Sequence, residues 1–274
     1  MSKFLLLLML IFLSLIPFSI SASEDHMMID IEVNGTKIHT DSAPFIERGT
    51  VYVPIRAISE SLNLSCDWSS SDRYALIEDD YNTLRFLPDK NLCFVNGKKQ
   101  VLKTHIKKGR IMVPVRFVSE NFSSDVSWDD RYYRVIIEND DASVPSHLKD
   151  KTYNQDEVYW LSKIIHAEAE GESEKGLIAV GNVVLNRVKS KLFPNTIYGV
   201  IFDKKGGVQF EPVINGSIYK TPSHDSISAA KKALSGENTA GKSLYFLNPR
   251  IAQNSWIVKN RTFYKSIGNH DFYM

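Results

Sequence analysis

Among 274 residues one carboxylate stands where chemistry can use it. A helix capped by Asn154 or Asp156 carries Val158, Leu161, Ile164 and Ile165 at the 3.6-residue period. At 100° per residue Glu168 lies about 20° from Leu161 and about 40° from Ile164, so it emerges from the apolar stripe, whereas Glu170 points the other way. Desolvation raises the pKa of such a carboxyl and keeps it protonated near neutrality, the state a general acid requires. Gly171 stops the helix and leaves Glu168 about one turn from its end, at the edge of a cleft. An acid on an apolar face is also satisfied by a buried cation, and Arg187 in the next helix is an available partner, so both readings stand. Glu172 follows at i+4, but Gly171 interrupts the shared helical face.

Other chemistries find less support. His166-Ala167-Glu168 has the His-x-Glu start of zinc deaminases, but the Pro-Cys-x-x-Cys they require is missing. No His-Glu-x-x-His, Gly-x-Ser-x-Gly elbow or phosphate loop occurs. His166, His224 and His270 are scattered, and the two cysteines, Cys66 and Cys93, are too few for a Cys-type zinc site. They form one disulfide or remain two buried thiols; the count allows either. The expectation is no metal and no cofactor.

The elements around Glu168 read as follows. A second helix spans Glu174 to Lys189 behind Ser173 as N-cap, with Gly181 permitting close helix contact. The stretch from Phe193 to Pro212, including Ile197 to Phe202, reads as strand and loop, and Ser226 to Leu234 as a short helix. Tyr245, Phe246, Trp256, Phe263 and Tyr264 crowd the C-terminus, either as sugar-stacking rings or as core.

Ahead of this half, Asn139 to Ser146 is polar and contains Pro145, which marks a boundary: a linker over 141–152 and a domain over 153–274. From Lys151 onward there are 16 basic and 11 acidic residues, net +5; residues 24–150 hold 16 basic and 21 acidic, net −5. The whole-chain charge of +1 gives nucleic-acid binding nothing to rest on. The acidic half is a repeat. Val53-Pro54-Ile55-Arg56 recurs as Val113-Pro114-Val115-Arg116, with Gly49 matching Gly109, Trp68 matching Trp128 and Asn34-Gly35 matching Asn96-Gly97. Each unit, about 29–80 and 81–140, reads β-hairpin, helix, hairpin. Arg56 and Arg116 stand beside the repeated Glu60 and Glu120 as internal ion pairs or as anion sites. At the start, Lys3, the apolar run Phe4 to Ile16, Pro17 and small residues to Ser23 have the layout of a signal peptide over 1–23, with an uncleaved membrane anchor as the alternative that Pro17 and the polar residues behind it argue against.

Two resemblances follow from these residues. The repeated Val-Pro-x-Arg, Glu and Trp pattern over 29–140 resembles the copper amine oxidase N-terminal-like stalk domain, though no cluster of copper ligands accompanies it. Ala167 to Glu172, Asn186-Arg187-Val188, Phe193-Pro194-Asn195-Thr196, Gln209-Phe210-Glu211-Pro212, Asn248-Pro249, Trp256-Ile257 and Ile267 to Phe272 resemble the spore-cortex-lytic cell wall hydrolase family over about 157–273. That family usually has Arg where this chain has Glu170, and Pro where it has Ser173. The resemblances imply an α+β chain: a two-copy β-hairpin/helix repeat, then a mainly α, lysozyme-like, lytic transglycosylase-like domain. They imply a secreted enzyme of the cell wall or spore envelope that cleaves the MurNAc-GlcNAc bond of peptidoglycan, with Glu168 as catalytic acid, in wall or spore cortex remodelling. For a water-using glycosidase Glu172 or Glu211 is the second carboxylate. By residue type, Gln209 and Asn248 are expected to bind N-acetyl groups, and Phe210, Tyr245 and Trp256 to floor the sugar groove. Glycan strands and anionic wall polymers are the expected partners. The alternatives are a wall-binding protein without activity or a peptidoglycan amidase.

Overall fold

The computed structural model describes residues 27–252 and 256–274; the segment read as a signal peptide lies outside them. In the first half the elements are β1 (Asp30–Val33), β2 (Thr36–Lys37), β3 (Phe45–Glu47), β4 (Thr50–Pro54), α1 (Ile55–Ser61), β5 (Ser65–Ser69), β6 (Tyr74–Glu78), β7 (Thr83–Leu87), β8 (Leu92–Val95), β9 (Lys98–Val101), β10 (His105–Lys107), β11 (Arg110–Pro114), α2 (Val115–Asn121), β12 (Asp125–Asp129) and β13 (Arg134–Glu138). Asn34 and Gly35, like Asn96 and Gly97, all take positive φ, as a tight hairpin turn requires. The helices bury Ile58 and Val118, followed by Leu62 and Phe122 at their C-termini.

The two units do not close separately. β4 and β11 pair antiparallel with Val53 opposite Val113, so the repeated motif lies on a local two-fold axis. β1 of the first unit pairs in parallel with β13, the last strand of the second, Asp30 opposite Arg134. The matching edge of the first unit is different: β7 is inserted between β6 and β8, giving the order β5-β6-β7-β8-β9. One apolar core, including Ile31, Ile58, Ile77, Phe86, Val118 and Ile137, serves both units. Cys66 on β5 and Cys93 on β8 are free thiols with two strands between them.

The second half contains α3 (Gln155–Ala169), α4 (Glu174–Lys189), α5 (Ile197–Ile201), α6 (Glu211–Asn215), α7 (His224–Leu234), β14 (Tyr245–Leu247), α8 (Trp256–Asn260), β15 (Phe263–Ile267) and β16 (His270–Tyr273). The chain is thus α+β, with a β-rich half followed by a mainly helical one. α3, α4 and α7 pack around Leu161, Ile165, Val180, Val184 and Ala230. At Gly181 a Cβ would stand 2.9 Å from Ile165 Cδ1 and 3.3 Å from Ala233 Cβ, so glycine lets the three helices meet. The strand expected from Ile197 to Phe202 is instead helix α5. Thr196 Oγ1 accepts from Gly199 N at 3.0 Å, and Ile197, Val200 and Ile201 at i, i+3 and i+4 turn inward.

The halves are joined by more than the connecting segment. Lys231 of α7 is fully buried; its Nζ lies 2.9 Å from Asp30 Oδ2 and donates to the carbonyls of Tyr133 and Met28. Tyr153 donates its hydroxyl to Asp30 Oδ1 at 2.8 Å. The polar segment between the halves also runs against the repeat, with Asp150 paired to Lys37 at 3.1 Å and His147 to Glu60 at 3.0 Å.

Candidate active site

α3 is fixed at its start by a reciprocal cap. Asn154 Oδ1 accepts from Glu157 N at 3.0 Å, and the Glu157 carboxylate accepts from Asn154 N at 2.9 Å. It ends at Ala169, before Gly171 at φ +88°. The apolar stripe is buried at Leu161, Ile164 and Ile165, which leaves Glu168 half-buried at the last turn. Its carboxyl is pushed up to about 7, first by burial and then by the charge of Glu211, with Arg187 opposing both.

Arg187 in α4 is 5% exposed. Its Nε donates to the Leu244 carbonyl at 2.7 Å, and its guanidinium faces the rings of Phe193, Phe210 and Tyr245 at 4.9, 5.0 and 5.5 Å. Burial lowers its pKa to about 10, so it stays charged at neutral pH. Among the described residues it makes no ion pair with Glu168 within 4 Å. Its field acts on Glu168 without fixing the carboxylate in a direct bond.

The other expected site residues divide. Glu211, exposed at the first position of α6, acts on Glu168 through its charge. Gln209 Nε2 donates to the carbonyls of Lys205 and Gly207 at 3.3 and 3.1 Å and so braces the loop before α6. Tyr245, half-buried on β14, accepts at its hydroxyl from Arg261 Nη2 at 3.1 Å, and the Arg261 guanidinium lies 4.7 Å from the Tyr245 ring and 4.6 Å from that of Trp256. Trp256 remains 47% exposed, so these two rings form an open aromatic wall beside Arg187. Asn248 Oδ1 accepts from Arg250 N at 3.0 Å, which shapes the turn after β14.

Two expectations are corrected. Phe210 is 3% exposed and belongs to the helical core under Arg187; it has no open face for a sugar. Glu172 is a tether. Its carboxylate accepts from Asn269 Nδ2 at 2.7 Å and from Asn269 N at 3.2 Å, with His270 Nδ1 at 3.7 Å. A Cβ on Gly268 would lie 1.8 Å from Glu172 Oε2, so the turn before β16 is shaped around this carboxylate. Arg187 and Arg261 are the site residues whose part in the wall the spacing alone did not bring out. Arg187 had a signal: at seven residues past Val180 it falls on the buried stripe of α4, as Glu168 does on α3. The three histidines lie apart, His166 against Ser223, His224 against Tyr133 and His270 against Glu172.

Comparison with known proteins bears on the same half. Residues 171–273 match the Cell Wall Hydrolase family, beginning just past Glu168, and residues 32–137 match the copper amine oxidase N-terminal domain. The spore cortex-lytic enzyme of Bacillus cereus is 38% identical over 120 residues, 44% of this chain and 45% of that protein. Cell wall hydrolase CwlJ of Oceanobacillus iheyensis is 35% identical over 106 residues, 36% of this chain and 74% of that protein. The catalytic domain of the germination-specific lytic transglycosylase SleB from Bacillus anthracis is 37% identical, with a TM-score of 0.42 over 46% of this chain and 99% of that one. The chain spans about half the length of the spore cortex-lytic enzymes it matches. With 35% identity over 74% of that CwlJ hydrolase, and residues 171–273 on the family's pattern, this chain belongs to the cell wall hydrolase family.

Proposed function

We propose that this protein is a secreted peptidoglycan lytic transglycosylase that cleaves the MurNAc-GlcNAc bond with Glu168 as its single acid and base. The observation that carries this reading is Glu168 itself: half-buried, at the end of a helix, with a pKa near 7. Such a group is protonated often enough to donate to the glycosidic oxygen and ionised often enough to take a proton back. As the leaving sugar departs with the Glu168 proton, positive charge develops at the muramic C1. The muramic 6-hydroxyl attacks that carbon and loses its proton to the Glu168 carboxylate, which regenerates the acid and leaves a 1,6-anhydro product. Arg187 stabilises the carboxylate between these steps, and Glu211 favours the return of the proton.

The tethering of Glu172 supports a one-carboxylate route, since its oxygens hold the Asn269 turn. A second reading has one observation in its favour: the Glu211 charge reaches Glu168, so a hydrolase in which Glu211 activates water is the competitor. Mass spectrometry of digested peptidoglycan decides between them. Anhydro-muropeptides are expected, and reducing ends alone would transfer the assignment to the two-carboxylate hydrolase. The open wall of Tyr245 and Trp256 is the sugar-binding face in this reading, and the net charge of +5 from Lys151 onward draws the half to a polyanionic wall. The named activities of the relatives, spore cortex lysis and germination, support cortex peptidoglycan as the substrate and the spore envelope as the location. N-terminal sequencing of exported protein is expected to begin near Ala22 or Glu24.

A further inference from the structure

The local two-fold axis of the repeat half generates two related grooves. In each, the start of a helix and a Trp-bearing hairpin from one unit face a hairpin from the other. The first, about 340 Å³, is lined by Arg56, Trp68 and Asp67 together with Ile106, Arg110 and Ile111 of the second unit. The second is lined by the equivalents Arg116, Trp128, Ser127, Ile46, Thr50 and Val51.

The two copies are used differently. In the second groove Arg116 is bound to Glu120 at 3.1 Å and to the Val126 carbonyl at 2.6 Å. Trp128 donates to Asp130 and meets Tyr133 edge-on at 5.0 Å, and Tyr133 in turn lies 4.5 Å from His224 of the other half. That copy therefore serves internal packing and the junction between halves. In the first groove the Glu60 that would hold Arg56 is taken by His147, and among the described residues Arg56 has no hydrogen-bond or ion-pair partner. Trp68 is 43% exposed and Ile106 57% exposed, and among the described residues no ring covers the indole.

We propose that the first groove is a second glycan-binding site, with a sugar ring stacked on Trp68, hydroxyls donating to Asp67, and an acidic substituent of the glycan paired with Arg56. The inference rests on the peptidoglycan reading above, because the occupant it names is the same polymer, a glycan bearing carboxylates. Charge selects this occupant over a polyphosphate. Asp41 is held by Arg110, and Arg73 of the lining by Asp89, so among the described residues Asp67 and Arg56 are the charges left to a ligand; they nearly cancel, which disfavours a run of phosphates, and Asp67 can accept hydrogen bonds from sugar hydroxyls. One cation without an ion-pair partner among the described residues, beside an indole, suits isolated carboxylates on a neutral sugar backbone.

The test is co-sedimentation of the full chain carrying Glu168→Gln with insoluble peptidoglycan stripped of phosphate polymers. In that background Arg56→Gln and Trp68→Ala are each expected to weaken binding by about fivefold or more, and Arg116→Gln to leave it within about twofold. Arg56 is exposed and, among the described residues, has no hydrogen-bond or ion-pair partner, so Arg56→Gln tests the site with the fold unchanged, and matching circular dichroism spectra check Trp68→Ala. Unaltered binding by both variants, or binding that needs the phosphate polymer restored, overturns the proposal. Release of anhydro product from short soluble glycans by the protein with Glu168 intact is a separate measurement: its failure would remove the catalytic reading, and its success beside unaltered binding would remove the groove alone.

Discussion

A carboxyl with a pKa near 7 gives two signatures that an ordinary glutamate does not. Glu168→Gln keeps the shape but has no proton to transfer, and turnover of peptidoglycan is expected to fall by about 10² to 10⁴ with wall binding retained. In the wild type, the acid step should decline as pH rises through about 7. Stability carries the second signature. The folded protein holds the Glu168 proton more tightly than the unfolded chain, whose value is near the ordinary 4.5. This contribution is full below about pH 4.5 and is lost as pH rises through about 7. Glutamine does not ionise, so Glu168→Gln should be more stable than wild type by on the order of 1–3 kcal/mol at pH 8 and nearly equal at pH 4, read by urea unfolding. Glu168 was legible because helical period alone puts it on the buried stripe. The role of Glu172 was not, since its partner Asn269 lies 97 residues away and nothing local announces the turn. Phe210 misled because an aromatic type does not reveal whether its ring faces solvent or core.

At the scale of elements, the long helices were readable from caps and apolar spacing, and the repeat from its recurring motifs. α5 was not, because a five-residue run of Ile, Tyr, Gly, Val and Ile satisfies strand preference as well as helical spacing, and only the Thr196 cap decides it. The strands of the C-terminal sheet were hidden inside what reads as an aromatic cluster. Their order, β14-β16-β15, hangs on the turn that Glu172 grips. Gly268 sits at φ +58° with no room for a methyl group. Gly268→Ala is therefore expected to cost about 1–3 kcal/mol in urea unfolding, and Glu172→Gln a similar amount, with a much smaller loss of turnover than Glu168→Gln. A Glu172 variant that folds normally and is inert would return that residue to the chemistry.

Across the whole molecule, the opposite net charges and the polar segment between the halves suggest two independent bodies, yet a buried lysine joins them. No sequence signal pairs Asp30 with Lys231, which are 201 positions apart and each surrounded by ordinary neighbours. Asp30→Ala strands Lys231 in the interior and is expected to cost about 3–5 kcal/mol, whereas Asp30→Leu combined with Lys231→Met should recover most of it. Calorimetry reads both, and the single variant should separate one unfolding transition into two. The pairing of β1 with β13 has a consequence in time. Asp30 meets Arg134 only after 104 further residues exist. At the usual 5–20 residues per second of synthesis the first strand waits on the order of 5–20 s with Ile31 and Val33 uncovered. A growing chain therefore keeps its N-terminal strand available to any waiting chaperone or export factor, and a message truncated before Glu138 releases a protein with a permanently open sheet edge.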